Sequence, residues 1–250
     1  MSSPQKKLSL VIPCYNEEST LTGIVEEVLK LKSEELDLEL VIVDDCSTDG
    51  SLNIATDLEK KHTEIKLCRH EHNQGKGAAL RTGFLAATGD FIGIQDADLE
   101  YNPMDYLTML RPLISGEADI VLGSRYLKKG TRRVLRWWHT FMNRFLTLAS
   151  NIFSDVELTD METCYKLFSR ETIKTIAPLL KENRFGFEPE VVAILAQGVH
   201  NRGWRLMECA IDYRPRTFSE GKKIGWKDGV RALYCILKYN FKTIIEKEQA

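Results

Sequence analysis

The segment Phe91–Pro103, FIGIQDADLEYNP, passes from an apolar run to a cluster of acids and ends at a proline. A short apolar run rich in β-branched and aromatic residues is typical of a buried strand. Asp96, Asp98 and Glu100 then place three carboxylates within five residues, where their charges repel one another. Because proline is favoured in the first turn of a helix, a helix is predicted to begin at Pro103. The segment therefore predicts a strand, an acidic loop and a helix, the repeating unit of an α/β sheet.

The same alternation extends through residues 1–127, where each short apolar run precedes an amphipathic or small-residue segment. Strands are predicted at residues 8–13, 38–43, 65–69, 91–95 and 118–123, and helices at residues 19–31, 49–61 (capped by Asp49 or Ser51) and 77–87. Strands that alternate with helices form a parallel sheet with right-handed crossovers. The predicted fold class is α/β, with a Rossmann-like, mostly parallel sheet and helices on both faces.

The second half of the chain has longer helices and a single predicted strand. Helices are predicted at residues 134–153, 171–180, 188–200 and 226–247, and a strand at residues 205–213. Residues 128–133 form the only plausible junction. We predict one domain over residues 1–250, with two halves (1–127 and 128–250), the second of which ends in an amphipathic helix.

The composition is that of an ordinary soluble protein of 250 residues, with 43% hydrophobic and 28% charged residues. A net charge of −2 gives no overall field that would attract nucleic acid, so no nucleic-acid partner is predicted. The start MSSPQKK lacks the apolar core of a signal peptide, and no apolar run reaches the roughly 18 residues that span a bilayer. Six cysteines without a CxxC pair predict reduced thiols, and the five histidines show no zinc spacing. These features predict a cytoplasmic protein.

Polar side chains follow four of the predicted strands at the point where each strand ends. Glu17 follows the first strand, Asp45 the second, the acidic cluster the fourth and Arg125 the fifth. Ligands of parallel α/β sheets bind at the carboxyl ends of the strands. The sequence therefore predicts a ligand site at this edge of the sheet.

The acidic cluster Asp96, Asp98 and Glu100 has the chemistry of a divalent cation site. Hard oxygen ligands suit Mg²⁺ or Mn²⁺, and Mg²⁺ is commonly held by few carboxylates together with substrate phosphates. The alternative for an isolated acidic turn is a solvated loop. Because the acidic cluster lies at the predicted ligand-binding edge of the sheet, a bound cation is favoured over a solvated loop.

Two neighbouring segments admit either a functional or a structural interpretation. Asp44–Gly50, DDCSTDG, has the composition of a site for a base or ribose and also that of a capped turn. Asn73–Ala79, NQGKGAA, is a glycine-rich loop that opens a helix, as phosphate and sugar cradles do, but it matches neither a P-loop nor GxGxxG. The residues alone leave both alternatives open.

Five ordered motifs, VIPCYNEE, VIVDDCSTDG, NQGKGAALRTG, QDADLEYNP and GSRY, resemble family 2 glycosyltransferases of the GT-A fold. The closer resemblance is to the polyprenyl-phosphate sugar synthases, such as the dolichyl-phosphate mannose synthases and their bacterial relatives. It covers nearly the whole chain, because TDMETCYKLF (159–168) and RTFSEGKKIGWKDG (216–229) also look like that group.

The resemblance implies a nucleotide-sugar-binding half (1–127) and an acceptor-binding half (128–250). It also implies roles for the matching positions. The residues implied around the nucleotide-sugar donor are Pro13, Tyr15, Glu17, Asp45, Lys76 and Asp96. The implied metal ligands are Asp98 and Glu100, although the similar synthases often carry Gln at the second position. The implied catalytic residues are Asp96, Asp98 and Arg125.

On the acceptor side, the resemblance implies that Arg125, Arg216 and Lys222 hold phosphates, which suits the planar bidentate fork of arginine. His139 and Asn143 fall where relatives place ligands of the acceptor phosphate. Glycines around Lys222 also suggest a mobile lid that closes on the phosphates.

The implied reaction is an inverting, metal-dependent transfer of a sugar from a UDP- or GDP-sugar to polyprenyl phosphate. A phosphate monoester carries about −1.5 to −2 charge and is already a nucleophile, so a dedicated base is unnecessary. A hydroxyl acceptor would need a general base, and Asp160 or Glu162 is then the candidate.

The alternative functions are a family 2 enzyme that acts on a saccharide or protein hydroxyl, a sugar-1-phosphate nucleotidyltransferase, and a non-catalytic nucleotide-sugar binding module. The intact acidic cluster disfavours the last.

Two helical segments suit a membrane surface, so a peripheral membrane partner is predicted. Residues 134–153 combine aromatic side chains with nearby arginines, and residues 232–247 mix apolar residues with lysines. Trp137 and Trp138 themselves are predicted to pack this helix rather than to bind sugar. Glu188 and Glu190 are predicted to be a charge pair at the start of a helix rather than catalytic groups.

Overall fold

A computed structural model describes residues 5–127, 134, 137–215 and 226–246, without the side chains of residues 139 and 226–228. The strands are β1 (Lys6–Cys14), β2 (Leu36–Asp44), β3 (Ile65–Arg69), β4 (Phe91–Ile94), β5 (Ile120–Ser124), β6 (Lys166–Ser169) and β7 (Leu206–Ala210). The helices are α1 (Leu21–Leu29), α2 (Ser51–Lys61), α3 (Lys76–Ala86), α4 (Asp105–Ile114), α5 (Trp137–Ser154), α6 (Arg170–Ile176), α7 (Phe187–Arg202) and α8 (Trp226–Asn240), with a 3₁₀ turn at Ala177–Leu179.

The strands form one sheet in the order β3-β2-β1-β4-β6-β5-β7. All the described neighbours pair in parallel except β6, which lies antiparallel between β4 and β5. The predicted mostly parallel α/β sheet is therefore confirmed. The strand β6 was not predicted, because four buried residues directly before a helix carry no alternation that distinguishes a strand. Its insertion brings the segment before Lys166 into the middle of the sheet.

Helices lie on both faces of the sheet, as the glycines at two close contacts show. A side chain at Gly83 of α3 would collide with Val11, whereas one at Gly93 of β4 would collide with Leu10 and with Tyr106 of α4. Because successive residues of a strand point to opposite faces, α3 and α4 pack on opposite sides of β1. Both helices thus fix the carboxyl ends of β1 and β4 from above and below.

Several predicted boundaries move by a few residues. The helix predicted to begin at Pro103 begins at Asp105, because Pro103 lies in the preceding turn and its carbonyl accepts a hydrogen bond from the Tyr106 amide. The last helix ends at Asn240 rather than at residue 247. No helix in the described part of the chain has both the length and the apolar character needed to cross a membrane.

The last helix is attached to the rest of the fold through the buried Glu182. Its carboxylate accepts hydrogen bonds from Arg231 at 2.7 Å, Lys238 at 3.0 Å and Tyr239 at 2.7 Å. Burial alone would raise the pKa of Glu182, but these three hydrogen bonds lower it to about 2. These polar contacts add to the packing of the buried Ala232, Cys235 and Ile236 in attaching α8 to the fold.

Candidate active site

The loops that follow β1 and β2 are bonded to each other at the carboxyl edge of the sheet. Asn16 and Cys46 both adopt left-handed backbone conformations, with φ of 56° and 61°, which turn the two loops sharply. The Asn16 carboxamide accepts from the Thr48 amide at 2.8 Å, and the Glu17 amide donates to the Ser51 hydroxyl at 2.8 Å. This arrangement brings together the predicted donor residues Pro13, Tyr15 and Glu17 with the loop that carries Asp45.

Asp45 is held by its own chain. Its carboxylate accepts from the amides of Gly75 at 2.7 Å and Gln74 at 2.9 Å, and its Oδ1 lies 2.7 Å from Nδ1 of His70. The other ring nitrogen of His70 lies 2.9 Å from the Thr82 hydroxyl. No sequence motif connects His70 with this site. Asp45 thus joins the β2 loop to the glycine-rich loop. Its predicted contact with the nucleotide base would use the remaining lone pairs of its carboxylate oxygens.

The glycines of Asn73–Ala79 serve close packing. Gly75 has φ of 98°, and a side chain at Gly75 or Gly77 would collide with the backbone at Asn183 or Glu182. Only glycine allows this approach, which places the start of α3 against the segment before α7. The glycines of this loop are therefore explained by packing rather than by ligand binding. Lys76, which lies between them, points into the site.

Lys76 connects the acidic loop to α7. Its ammonium lies 3.0 Å from the Asp96 carboxylate and 3.3 Å from that of Glu188. Burial would lower the pKa of Lys76, but the two carboxylates outweigh burial and raise it, so the lysine is charged. The prediction that Glu188 and Glu190 lie at the start of a helix is confirmed, because both are in the first turn of α7. Glu188 also pairs with Lys76, whereas Glu190 accepts from the amides of residues 181 and 182.

The predicted metal ligands lie next to each other beyond Asp96. Oδ1 of Asp98 accepts from the Glu100 amide at 3.0 Å, and Oε2 of Glu100 accepts from the Tyr213 hydroxyl at 2.9 Å. Within the described residues, no three His, Cys, Asp or Glu side chains converge as a complete metal site. Two carboxylates at a strand end fit a cation that takes its other ligands from phosphates and water, which is how Mg²⁺ is usually held.

Arg125 forms a buried ion pair that the sequence did not predict. Its Nε and Nη2 donate to the two carboxylate oxygens of Asp160, each at 2.7 Å, and its amide donates to Oδ2 at 3.0 Å. The Arg125 side chain is 9% exposed and that of Asp160 is fully buried. This bidentate pair occupies Nε and Nη2 of the guanidinium. It also disfavours Asp160 as a base, because Asp160 already accepts three hydrogen bonds.

The remaining predicted acceptor ligands are only partly described. Asn143 lies on α5, and its amide donates to the Tyr126 hydroxyl at 3.2 Å, beside Arg125 in the chain. The position of His139 on α5 is described but its side chain is not, and Arg216 and Lys222 lie outside the described residues. Their roles stay predictions.

The outer side of α5 is apolar and exposed. Trp137 is 71% exposed and Trp138 is 63% exposed, so the prediction that they pack the helix against the fold is wrong. They stack instead on Phe141, with ring centroids 5.4 Å apart. We give the name apolar stripe to the exposed apolar side chains of α5, of α8 and of the residue that follows α8. They are Trp137, Trp138, Phe141, Phe145, Leu148, Ile152, Phe153, Val230, Tyr234, Leu237 and Phe241. An edge-to-face contact between Phe153 and Phe241, 5.6 Å apart, joins its two parts.

The sequence matches the family described as glycosyl transferase family 2 over residues 9–177. The chain belongs to this family. A dolichyl-phosphate beta-glucosyltransferase of Trichomonas vaginalis is 30% identical over 232 residues, which is 87% of this chain and 69% of the relative. Another from Dictyostelium discoideum is 27% identical over 254 residues, covering 95% of this chain and 75% of the relative. These matches confirm a glycosyltransferase and its likeness to polyprenyl-phosphate sugar synthases.

Solved structures give the same fold. Glucosyl-3-phosphoglycerate synthase from Mycobacterium tuberculosis, in complex with Mn²⁺, UDP-glucose and phosphoglyceric acid, superposes with a TM-score of 0.67 at 20% identity. The match covers 94% of this chain and 80% of that one. The predicted GT-A fold is confirmed.

Proposed function

We propose that this glycosyltransferase moves a sugar, with inversion, from a UDP- or GDP-sugar to a polyprenyl phosphate. Relatives that cover most of the chain are named dolichyl-phosphate beta-glucosyltransferases, and the solved neighbour holds UDP-glucose with Mn²⁺. These names and ligands describe the related proteins. The proposal for this chain depends on how its own residues connect an apolar surface to a charged site.

The observation that carries the proposal is the double role of α5. Its outer side bears the exposed apolar stripe, while Thr147 and Asn143 on the same helix contact the loops around Arg125. A prenyl phosphate has this same division, an apolar chain attached to an anionic head. A lipid that lies along the stripe would bring its phosphate to the edge of the sheet where Lys76 and Arg125 lie.

In this proposal the donor lies between the β1 and β2 loops and the acidic loop. Pro13, Tyr15, Glu17 and Asp45 would line the base, and Lys76 with Asp96 would face the sugar and its diphosphate. Asp98 and Glu100 would hold a divalent cation, Mg²⁺ or Mn²⁺, which when bound neutralises charge on the departing diphosphate. The acceptor phosphate attacks the anomeric carbon from the opposite side, and the nucleoside diphosphate leaves.

We also propose that the enzyme binds the membrane surface from which it takes its lipid. Exposed Trp and Phe side chains suit the boundary between headgroups and acyl chains. The sequence places Arg132, Arg133 and Arg136 directly before α5, and each basic residue near an anionic surface contributes about 1 kcal/mol. A cytoplasmic, peripheral protein follows from this proposal.

The test is transfer itself, with a panel of UDP- and GDP-sugars, polyprenyl phosphate and either Mg²⁺ or Mn²⁺. The released nucleotide and the lipid product identify donor and acceptor. A water-soluble saccharide and a peptide offered in parallel measure the competing hydroxyl acceptors. Preferred transfer to a hydroxyl would overturn the phosphate proposal, and release of pyrophosphate from a nucleoside triphosphate would indicate a nucleotidyltransferase.

A further inference from the structure

The segment that follows β7 is paired with the end of the acidic loop. Tyr213 forms an isolated antiparallel bridge with Tyr101, and the Arg214 amide donates to the Glu100 carbonyl at 2.7 Å. These backbone contacts place Tyr213 beside Glu100, from which it is 113 positions away in the chain. The acidic loop is therefore supported by a part of the chain that lies outside its own motif.

Glu100 is held through its amide, its carbonyl and its carboxylate. The Glu100 amide donates to Oδ1 of Asp98 at 3.0 Å, and its carbonyl accepts from the Arg214 amide. Oε2 of Glu100 accepts from the Tyr213 hydroxyl at 2.9 Å. A carboxylate can only accept hydrogen bonds, so the tyrosine is the donor. Of these three contacts, the one with Tyr213 acts on the carboxylate itself and so sets its direction.

The ring of Tyr213 packs against both Arg125 and buried aromatic side chains. The guanidinium carbon of Arg125 is 5.1 Å from the ring centroid of Tyr213, within the range of a cation–π contact. The ring centroid of Tyr101 is also 5.1 Å from that of Tyr213, and Tyr101 stacks in turn on the buried Tyr165 at 4.8 Å. These contacts fix the ring of Tyr213 and with it the position of the hydroxyl.

A tyrosine can occupy such a position for packing alone, and Tyr106 shows what that looks like in this fold. Tyr106 belongs to the same group of rings, with its centroid 4.6 Å from that of Tyr165, and its hydroxyl donates to the backbone carbonyl of Ile94. The Tyr213 hydroxyl donates instead to a carboxylate that is proposed to bind the cation. Packing accounts for the ring of Tyr213, whereas its hydroxyl acts on the proposed metal site.

We propose that Tyr213 is a positioning residue: its hydroxyl orients Glu100 toward the divalent cation, and its ring supports Arg125. This rests on the proposed cation site at Asp98 and Glu100. Carboxylates that bind metal ions are commonly hydrogen-bonded themselves, and loss of such a partner typically weakens metal binding by about 10- to 100-fold. Tyr213 gives Glu100 a bond of this kind, and the same side chain reaches the arginine that is proposed to hold phosphate.

Tyr213→Phe removes the hydroxyl and keeps the ring, so it tests the contact with Glu100 alone. The readout is the Kd for Mn²⁺, measured by EPR of the free ion with UDP or GDP present, which requires no turnover. We expect Mn²⁺ binding to weaken about 10-fold, because the Glu100 carboxylate is no longer held by the hydroxyl. At saturating Mn²⁺ the KM for polyprenyl phosphate should stay near that of wild type, because the ring still supports Arg125.

Tyr213→Leu removes the ring as well as the hydroxyl. It should weaken Mn²⁺ binding at least as much as Tyr213→Phe does. It should also raise the KM for polyprenyl phosphate several-fold, because Arg125 loses a contact with its guanidinium group. The difference between the two variants therefore measures the ring, and the difference between Tyr213→Phe and wild type measures the hydroxyl. Circular dichroism checks that both variants fold.

Tyr106→Phe is the matched control, since it removes a hydroxyl of the same aromatic group that bonds to backbone, and it should leave Mn²⁺ binding unchanged. Unchanged or tighter Mn²⁺ binding in Tyr213→Phe, or an equal loss in Tyr106→Phe, would overturn the role of the hydroxyl. A Tyr213→Leu variant with the same KM for polyprenyl phosphate as Tyr213→Phe would overturn the role of the ring. Wild type that binds no Mn²⁺ with either nucleotide would instead overturn the proposed cation site.

Discussion

The proposed donor and acceptor sides of the carboxyl edge differ in how one carboxyl group on each side is held. On the donor side, Asp45 already accepts two backbone hydrogen bonds and contacts His70. On the acceptor side, Oε1 of Glu162 is buried and has no hydrogen-bond partner among the described residues, and α5 exposes an apolar stripe. Asp45 is therefore positioned before any ligand binds, whereas Glu162 has no such contact at Oε1.

The largest loss of transfer activity is expected at the proposed cation site, between the donor and acceptor sides. Asp98→Ala should reduce transfer by 100-fold or more, because charge on the leaving diphosphate loses a stabilisation of about 3 kcal/mol or greater. The measurement is the initial rate against added Mg²⁺ or Mn²⁺, with circular dichroism as a check on folding. Asp57→Ala, an exposed carboxylate on α2, is the control. Activity retained with an unchanged metal dependence would exclude Asp98 as a ligand.

The second effect concerns stability on the acceptor side. A residue that only holds phosphate, as the resemblance implies for Arg125, would weaken phosphate binding more than folding when replaced by Ala. The buried pair reverses this expectation, because Arg125→Ala leaves Asp160 as an uncompensated buried charge, which costs about 3–5 kcal/mol. Urea denaturation measures the loss.

The double variant Arg125→Ala/Asp160→Asn is the matched control for that loss. Removing both charges should recover part of the stability but none of the transfer rate, if Arg125 also contacts phosphate. A single Arg125→Ala variant as stable as wild type would show that the pair is not buried in solution.

A smaller effect is expected from the apolar stripe. Replacing Trp137 and Trp138 together with Ala should weaken binding to anionic vesicles by about 1–2 kcal/mol, because each indole removes only part of its surface from water. Neutralising Arg132, Arg133 and Arg136 should weaken it further and reduce its dependence on salt. Vesicle sedimentation at low and high salt measures both effects.

The control is Leu85→Ala, which removes an equally exposed apolar residue on α3, away from the stripe. Wild type should sediment with the vesicles at low salt. If it does not, with or without polyprenyl phosphate, the acceptor is a soluble molecule and the stripe has another use.

The fold could be predicted from the sequence where it depends on local patterns, and not where it depends on contacts between distant parts of the chain. The strand at residues 65–69 is found at Ile65–Arg69, and the α/β class follows from periodicity, which is a local signal. The antiparallel strand β6 was missed because its pairing partners lie far away in the chain and its four residues are uniformly buried. Pairing with strands that are distant in the sequence produces no recognisable pattern in a segment of four residues.

The candidate site shows the same limit. Motifs identified Lys76, at the start of α3, and Asp96, Asp98 and Glu100, on the loop after β4. The partners Glu188 and Asp160 became visible only when their distances to Lys76 and Arg125 were known. Exposure of Trp137 and Trp138 was likewise unpredictable, because an aromatic stripe on a helix is the same in sequence whether it packs on the fold or faces outward.

The most direct test of the central claim is the chemical nature of the bond that the enzyme forms. The lipid product of the wild-type reaction can be analysed by ³¹P and ¹H NMR after incubation with the selected nucleotide sugar and polyprenyl phosphate. We predict a phosphodiester between the lipid phosphate and the anomeric carbon, with the anomeric configuration opposite to that of the donor. A lipid phosphate that stays a monoester while sugar appears on a hydroxyl acceptor would contradict the account.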